Sequence, residues 1–200
     1  MEKLFWEKTY LDSSVATFGK KPANDILKMS SSLKKDMTVL DIGCGEGRNS
    51  IYLSALGHNV DAFDVSEAGI LKLKTIAEEN KIKVNAWVQD LTTFIFSKTY
   101  DLIISHGVFH LVEKHDWQRI IKDIKENTNP GGLNIIGIFT NKLPATPDNA
   151  PFTKALFDEG ELKELYADWN IIEFNAYVFE DEHPGGIWHK HAANNIIAMK

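Results

Sequence analysis

The sequence predicts an α/β fold in a single domain: a mostly parallel sheet of seven strands with helices on both faces. Three observations carry this expectation. The segment from Met37 to Asp64, MTVLDIGCGEGRNSIYLSALGHNVDAFD, reads as strand, glycine loop, helix, second strand and acidic end. Short apolar runs then alternate with helical periodicity as far as Phe139, which is how parallel strands joined by crossover helices read. The length of 200 residues, 44% apolar and 25% charged, suits one soluble globular domain with a sizeable core.

Taken in order, residues 1–32 are expected to form a helical cap ahead of the first strand. Trp6 and Tyr10 share a helical face beside Phe5, and Pro22 to Leu33 reads as a helix with proline near its first turn. These aromatics either cap the sheet or close over a ligand. Thr38, Val39, Leu40 and Ile42 make a buried strand. Gly43, Gly45 and Gly47 follow, where the missing Cβ lets a ligand lie against the backbone. Asn49 to Leu56 is helical and stops at Gly57; Val60, Ala62 and Phe63 form the second strand. Ser66 opens the next helix, with Glu67 in its first turn and Ile70, Leu71, Leu73, Ile76 and Ala77 on its expected buried face. Val84, Ala86 and Val88 alternate as the third strand, ending at Asp90 and Leu91. Asp101 to Ser105 is the fourth strand and runs into His106. His115 to Asn127 is an amphipathic helix, and Pro130-Gly131-Gly132 is a turn signal before a fifth strand from Leu133 to Phe139. Residues 140–157 hold Pro144, Pro147 and Pro151 and show no period; a loop this long is usually functional, and a lid is expected. A helix opens around Asp158 and ends near Trp169, followed by strands from Ile171 to Phe179 and from Asn194 to Met199.

Composition narrows the partners. The formal charge of −6 argues against nucleic acid, whose phosphates call for clustered Lys and Arg. No run of about 18 apolar residues signals a membrane span, and Met1 to Tyr10 lacks the apolar core of a signal peptide. Cys44 is the single cysteine, so an internal disulfide is excluded and a reducing cytoplasm is the expected setting. A small-molecule partner and a monomer or homodimer are expected.

A glycine turn, a helix N-terminus and an acid about 20 residues on follow the logic of a nucleotide site. The spacing is G-x-G-x-G, from Gly43 to Gly47, which disfavours a dinucleotide and with it a nicotinamide-dependent oxidoreductase. A non-catalytic module that binds an adenosyl metabolite stays open as an alternative. With Asp41 ahead of it and Asp64 behind, the block DIGCGEG resembles the first motif of class I S-adenosylmethionine-dependent methyltransferases. The resemblance implies a Rossmann-like sheet with an antiparallel last strand, and S-adenosyl-L-methionine as cofactor. Asp64 is then expected at the ribose, Asp90 and Leu91 at the adenine, and Asp41, Gly43 and Gly45 in the backbone cradle; Val65, Ser105 and Tyr10 complete the expected cofactor site. The competing role for Asp90 is a cap on Thr92 or Thr93.

The block PFTKALFDEGELKELYADW, with GRN after the glycine loop, resembles the tellurite-resistance branch of that superfamily from about residue 5 to 200. The branch implies small, soft acceptors such as tellurite, selenite or thiols. This chain departs from it at Ser105-His106-Gly107, where small apolar residues are usual. It departs again at His183, His189 and His191, where relatives are rich in Arg and Lys.

If the last strand is antiparallel, its beginning lies beside the carboxyl ends of strands four and five. His189 and His191 alternate by two and share a face. With His106 and His183 they are expected to border one acceptor pocket, and His106, His189 and His191 are the candidate catalytic residues. Arg48, Asn49 and His110 are expected at the rim, against acceptor or lid. His-x-His on a strand can chelate zinc, but a catalytic zinc needs a third protein ligand, and no metal is assigned. Displacement at a sulfonium methyl releases a neutral leaving group and needs no general acid. The protein's share is alignment at about 3–3.5 Å and exclusion of water. If the acceptor carries a proton, a histidine with pKa about 6.5 is the natural base, and His106 is the expected one.

Overall fold

The computed structural model describes residues 5–147, 149–182 and 188–200, with Phe5 as backbone only. Seven strands form one sheet: β1 (Thr38–Ile42), β2 (Asn59–Asp64), β3 (Val84–Val88), β4 (Tyr100–His106), β5 (Thr128–Phe139), β6 (Asn170–Asp181) and β7 (His189–Met199). Their order is β3-β2-β1-β4-β5-β7-β6. The pairs among β1 to β5 are parallel, and β7 runs antiparallel between β5 and β6. The chain leaves β1 outward through β2 and β3, then crosses back to place β4 on the other side of β1. That reversal opens a crevice at the carboxyl ends of β1 and β4.

The helices are α1 (Phe5–Tyr10), α2 (Asn24–Ser30), α3 (Arg48–Ala55), α4 (Glu67–Glu79), α5 (Lys114–Glu126) and α6 (Glu161–Leu165). Alternation along the strands sends side chains to both faces. Leu40, Ile42, Ile103 and Ile136 pack with Trp117, Ile120, Ile121 and Ile124 of α5 on one face. Val39, Leu102, Ile104 and Ile135 pack with Ile26 of α2 and Leu53 of α3 on the other. Ala62 and Ala86 lie under Ile70 and Leu73 of α4. Ser66 caps α4 as expected, its hydroxyl accepting from Gly69 N at 2.9 Å.

Four boundaries differ from the sequence reading. The α2 helix is confined to Asn24–Ser30. Pro130-Gly131-Gly132 is an irregularity inside β5 rather than a turn before it: the register slips between Tyr100 and Leu102. Proline has no N–H for the ladder, and Gly131, at φ 74°, instead bonds Lys200 O at 3.1 Å. The α6 helix stops at Leu165, because Tyr166 is fully buried with its hydroxyl donated to Asn134 Oδ1 at 2.9 Å. The last strand starts at His189 rather than Asn194. Its first residues pair with β6 as far as Asp181, past the point where Phe139 ends its pairing with Ala193. The β6–β7 hairpin therefore overhangs the crevice and becomes one of its walls.

Candidate active site

A cavity of about 1330 Å³ fills the crevice, bounded by the glycine loop, the N-terminal segment, the ends of β4 and β5, and the overhanging hairpin. The glycine loop is folded back on β2: Gly43 N and Cys44 N both donate to Phe63 O, at 2.8 and 3.0 Å. Gly43 and Gly45 sit at φ 69° and 54°. A Cβ on Gly45 would lie 2.5 Å from the Tyr10 hydroxyl, so only glycine lets Tyr10 close over the loop. Asp64 ends β2 facing that loop. Its Oδ2 accepts from Gly45 N and its Oδ1 from Ser66 N, both at 2.8 Å. Burial raises the Asp64 pKa, against the pull of those two amides. Asp41 is buried too; burial lifts its pKa to about 6, opposed by the Ser50 hydroxyl that donates to Oδ2 at 2.6 Å.

Asp41, Gly43, Gly45, Asp64, Val65, Asp90, Leu91 and Tyr10 all line the cavity. Asp90 also performs the competing role, its Oδ1 accepting from Thr92 N and Oγ1 at 2.8 Å each. Ser105 is the exception among the expected cofactor residues. Strand alternation turns it fully into the sheet, away from the cavity that His106 borders.

The N-terminal segment is tied to the loop by charges the sequence did not flag. Lys72 on α4 pairs with Glu46 at 2.8 Å, both side chains nearly buried. Its ammonium also donates to the carbonyls of Thr9, Asp12 and Val15 at 3.2, 2.9 and 2.5 Å. Arg48 and Asn49, expected at the rim, border the cavity and also serve this attachment. Arg48 Nη1 donates to Phe18 O at 2.7 Å, and Asn49 Oδ1 accepts from Ala23 N at 2.9 Å.

On the other side, His106 Nε2 meets both oxygens of Asp25, at 2.9 and 3.1 Å. Asp25 is in the first turn of α2 and also accepts from Ile26 N at 2.8 Å and Asn195 Nδ2 at 3.0 Å. Burial alone would raise the Asp25 pKa, but the facing imidazole and these donors hold it below the usual value. With Nε2 engaged, Nδ1 of His106 is the remaining ring nitrogen; it is buried and has no hydrogen-bond partner among the described residues. Asp25 and Asn195 were missed in the sequence, since neither sits in a motif or near His106 along the chain.

The expected histidine pocket is partly corrected. His106, His110 and His191 border the cavity; His189 lies behind His191, rings edge-on at 4.6 Å. His191 stacks on Phe139 at 4.4 Å and 9°, and Phe139 meets His110 at 4.8 Å. Burial pushes the His110 pKa down to about 4, with His191 adding to the shift, so the His110 ring is neutral at pH 7. His183 lies outside the described residues. Asp181, not singled out in the sequence, lies with His189 and His191.

The segment 140–157 is clamped at both ends. Asn141 N donates to Phe157 O at 2.8 Å, and Phe157 stacks on Trp117 at 3.8 Å. Between the clamps, Phe152 meets Trp6 edge-on at 5.9 Å, and Lys154 N donates to His110 O at 2.9 Å. Asn149, Pro151, Phe152, Thr153 and Lys154 border the cavity, on a turn in which Thr146 O accepts from Asn149 N and Ala150 N, and Asn149 O from Phe152 N and Thr153 N. We propose that the segment acts as a lid. Amide exchange across 141–153 is expected to slow when S-adenosylhomocysteine is added, and equal exchange with and without it would make the segment a fixed loop.

This sheet order, a glycine loop after β1 and an acid ending β2 define the class I methyltransferase fold. The crystal structure of TehB from Haemophilus influenzae superposes with a TM-score of 0.81 at 32% identity, covering 90% of this chain and 62% of that one. A protein solved for the conversion of a disulfide bond into a thioacetal group during echinomycin biosynthesis shares the fold alone, with a TM-score of 0.70 at 17% identity over 92% of this chain and 84% of that one. A curated relative, "Probable S-adenosyl-L-methionine-dependent methyltransferase TehB" of Haemophilus influenzae, is 36% identical over 81% of this chain and 54% of its own length. The profile described as "Tellurite resistance protein TehB" matches residues 17–200, and the chain belongs to that family. It spans about half the length of the curated relatives it matches, 54% for the one just described. No helix among the described residues is long and apolar enough to cross a membrane.

Proposed function

We propose that this chain transfers a methyl group from S-adenosyl-L-methionine to a small acceptor with a soft nucleophilic atom, such as tellurite, selenite or a thiol. The observation that carries this reading is the Asp64 carboxylate, held by one amide on each oxygen beside the glycine loop and bordering the cavity. Each oxygen keeps acceptor capacity for a ribose hydroxyl, and a cavity of about 1330 Å³ has room for the cofactor together with a small acceptor. The bound cofactor supplies an electrophilic methyl group and a neutral leaving group. The protein contributes binding, alignment and water exclusion by the Tyr10 side of the cap and the 141–153 segment. For an acceptor that carries a proton, His106 Nδ1, the ring nitrogen that Asp25 leaves unengaged, takes it once a shift of the ring opens that buried atom to the cavity. Asp25 then acts as a positioning residue, holding the ring through Nε2 and balancing the charge that forms. His191 is assigned to the acceptor wall, and His189 supports it.

The test is transfer of labelled methyl from S-adenosylmethionine across tellurite, selenite and small thiols. We expect transfer to at least one, and absence of transfer to all would sink the proposal. With a thiol acceptor, His106→Gln is expected to lower kcat about 10²-fold while cofactor affinity stays within a few-fold. The wild-type rate should fall on acidification, because a protonated base cannot accept the thiol proton. Asp25→Asn should alter that pH profile. If Asp25→Asn lowers only the melting temperature and leaves the profile in place, the pair serves α2 docking alone.

A further inference from the structure

We propose that Asp181, His189 and His191 form a binding site for a divalent metal ion of the zinc class, at the hairpin edge of the cavity. One ligand atom from each residue lies within 4.8 Å of the others. The backbone arranges this. Asp181 and His189 are register partners across β6 and β7, and His191 follows two residues along β7, so all three project from one face of the hairpin. The sequence offered only the His-x-His half of the set; the strand pairing supplies the third donor.

The donor chemistry suits the ion. Two imidazole nitrogens and a carboxylate oxygen are zinc ligands at about 2.0–2.2 Å, which sets tetrahedral donors about 3.3 Å apart. The three groups therefore need to draw in by at most about 1.5 Å, a movement side-chain rotation can supply. Both histidines are 6% exposed, so little solvation is left to lose. The His191 ring is held by its stack on Phe139 and by Phe179 at 5.2 Å. The His189 ring crosses it at 86°, a disposition in which a nitrogen of each ring can face one point.

Three protein donors leave a fourth position, as in zinc sites that keep an exchangeable ligand. Asp181 and His191 border the cavity, so that position opens onto its interior. Two neutral imidazoles and one carboxylate around a dication leave one net positive charge, suited to an anionic sulfur, selenium or oxygen ligand. Binding of the ion does not depend on methyl transfer. Only the identity of the fourth ligand rests on the proposed function, so failure of one leaves the other standing.

The test is titration of the chelator-treated full chain with Co(II), whose visible bands report four-coordinate binding. One equivalent is expected to bind and to be displaced by Zn(II). Asp181→Asn and His189→Gln are each expected to weaken Co(II) at least tenfold, whereas His115→Gln, an exposed histidine on α5, leaves it unchanged. Absence of bands at one equivalent overturns the site, and so do bands that survive both substitutions. Should either variant misfold, ring-nitrogen spectra of the wild-type chain decide: Zn(II) is expected to shift at least two histidine side chains, and no shift overturns the proposal.

Discussion

Replacing Asp64 with alanine is expected to weaken S-adenosylmethionine binding by well over tenfold, measured by calorimetry, with the sheet intact. Two effects combine. The cofactor loses a charged acceptor for its hydroxyls, and charge-assisted hydrogen bonds contribute roughly 1.5–3 kcal/mol each. The glycine loop loses its own anchor as well, since Asp64 accepts from Gly45 N and Ser66 N. Asp64→Asn separates the two, because the amide keeps one acceptor oxygen and loses the charge; it is expected to fall between wild type and alanine. The sign with pH follows from burial. The Asp64 pKa is raised, so its ionised form is depleted on acidification ahead of exposed aspartates, and affinity should weaken in the same direction. Unchanged affinity in Asp64→Ala would end the assignment of this acid to the cofactor.

The largest stability loss is expected from Lys72→Met. The substitution keeps most of the apolar stem but removes the ammonium that pairs with Glu46 and collects the carbonyls of Thr9, Asp12 and Val15. Glu46 is only 6% exposed, so it is left as a buried charge without its cation. Breaking a buried pair in this way costs about 3–5 kcal/mol. For a domain of this size that is a fall in melting temperature of roughly 10 °C. Adding Glu46→Gln removes the stranded charge and should recover part of the loss. Cofactor affinity should drop alongside, since Tyr10 closes over Gly45 from the segment Lys72 holds. A Lys72→Met chain that melts within a degree of wild type would show that the cap is held by other contacts.

The part of the site proposed for the cofactor could be read from the sequence because its pieces are consecutive. Strand, glycine loop and terminal acid occur in one stretch of sequence, and the backbone that joins them also positions them. Ser105 failed for a local reason: along a strand, the neighbour of a cavity-facing residue faces away. The part proposed for the acceptor is assembled across the fold. Asp25 reaches His106 only because α2 packs on the β4 end of the sheet, and no periodicity encodes that contact. Asp181 joins the two histidines through hairpin register, and HKHAA reads as polar loop until β6 is known to continue beside it. Lys72 looked like one polar residue on an amphipathic helix, and its burial depends on a segment that precedes it by about 60 residues.

The link between Asp25, His106 and Asn195 bears on the order in which the cavity walls assemble. It joins residues 81 and 170 positions apart, from an early helix, a central strand and the last strand. Closing loops of that length is entropically late, because the chain gains nothing from such contacts until the elements between them are in place. Refolding should therefore restore the circular dichroism of helices and sheet before it restores the His106–Asp25 contact. An emerging chain cannot complete this contact set until β7 has left the ribosome.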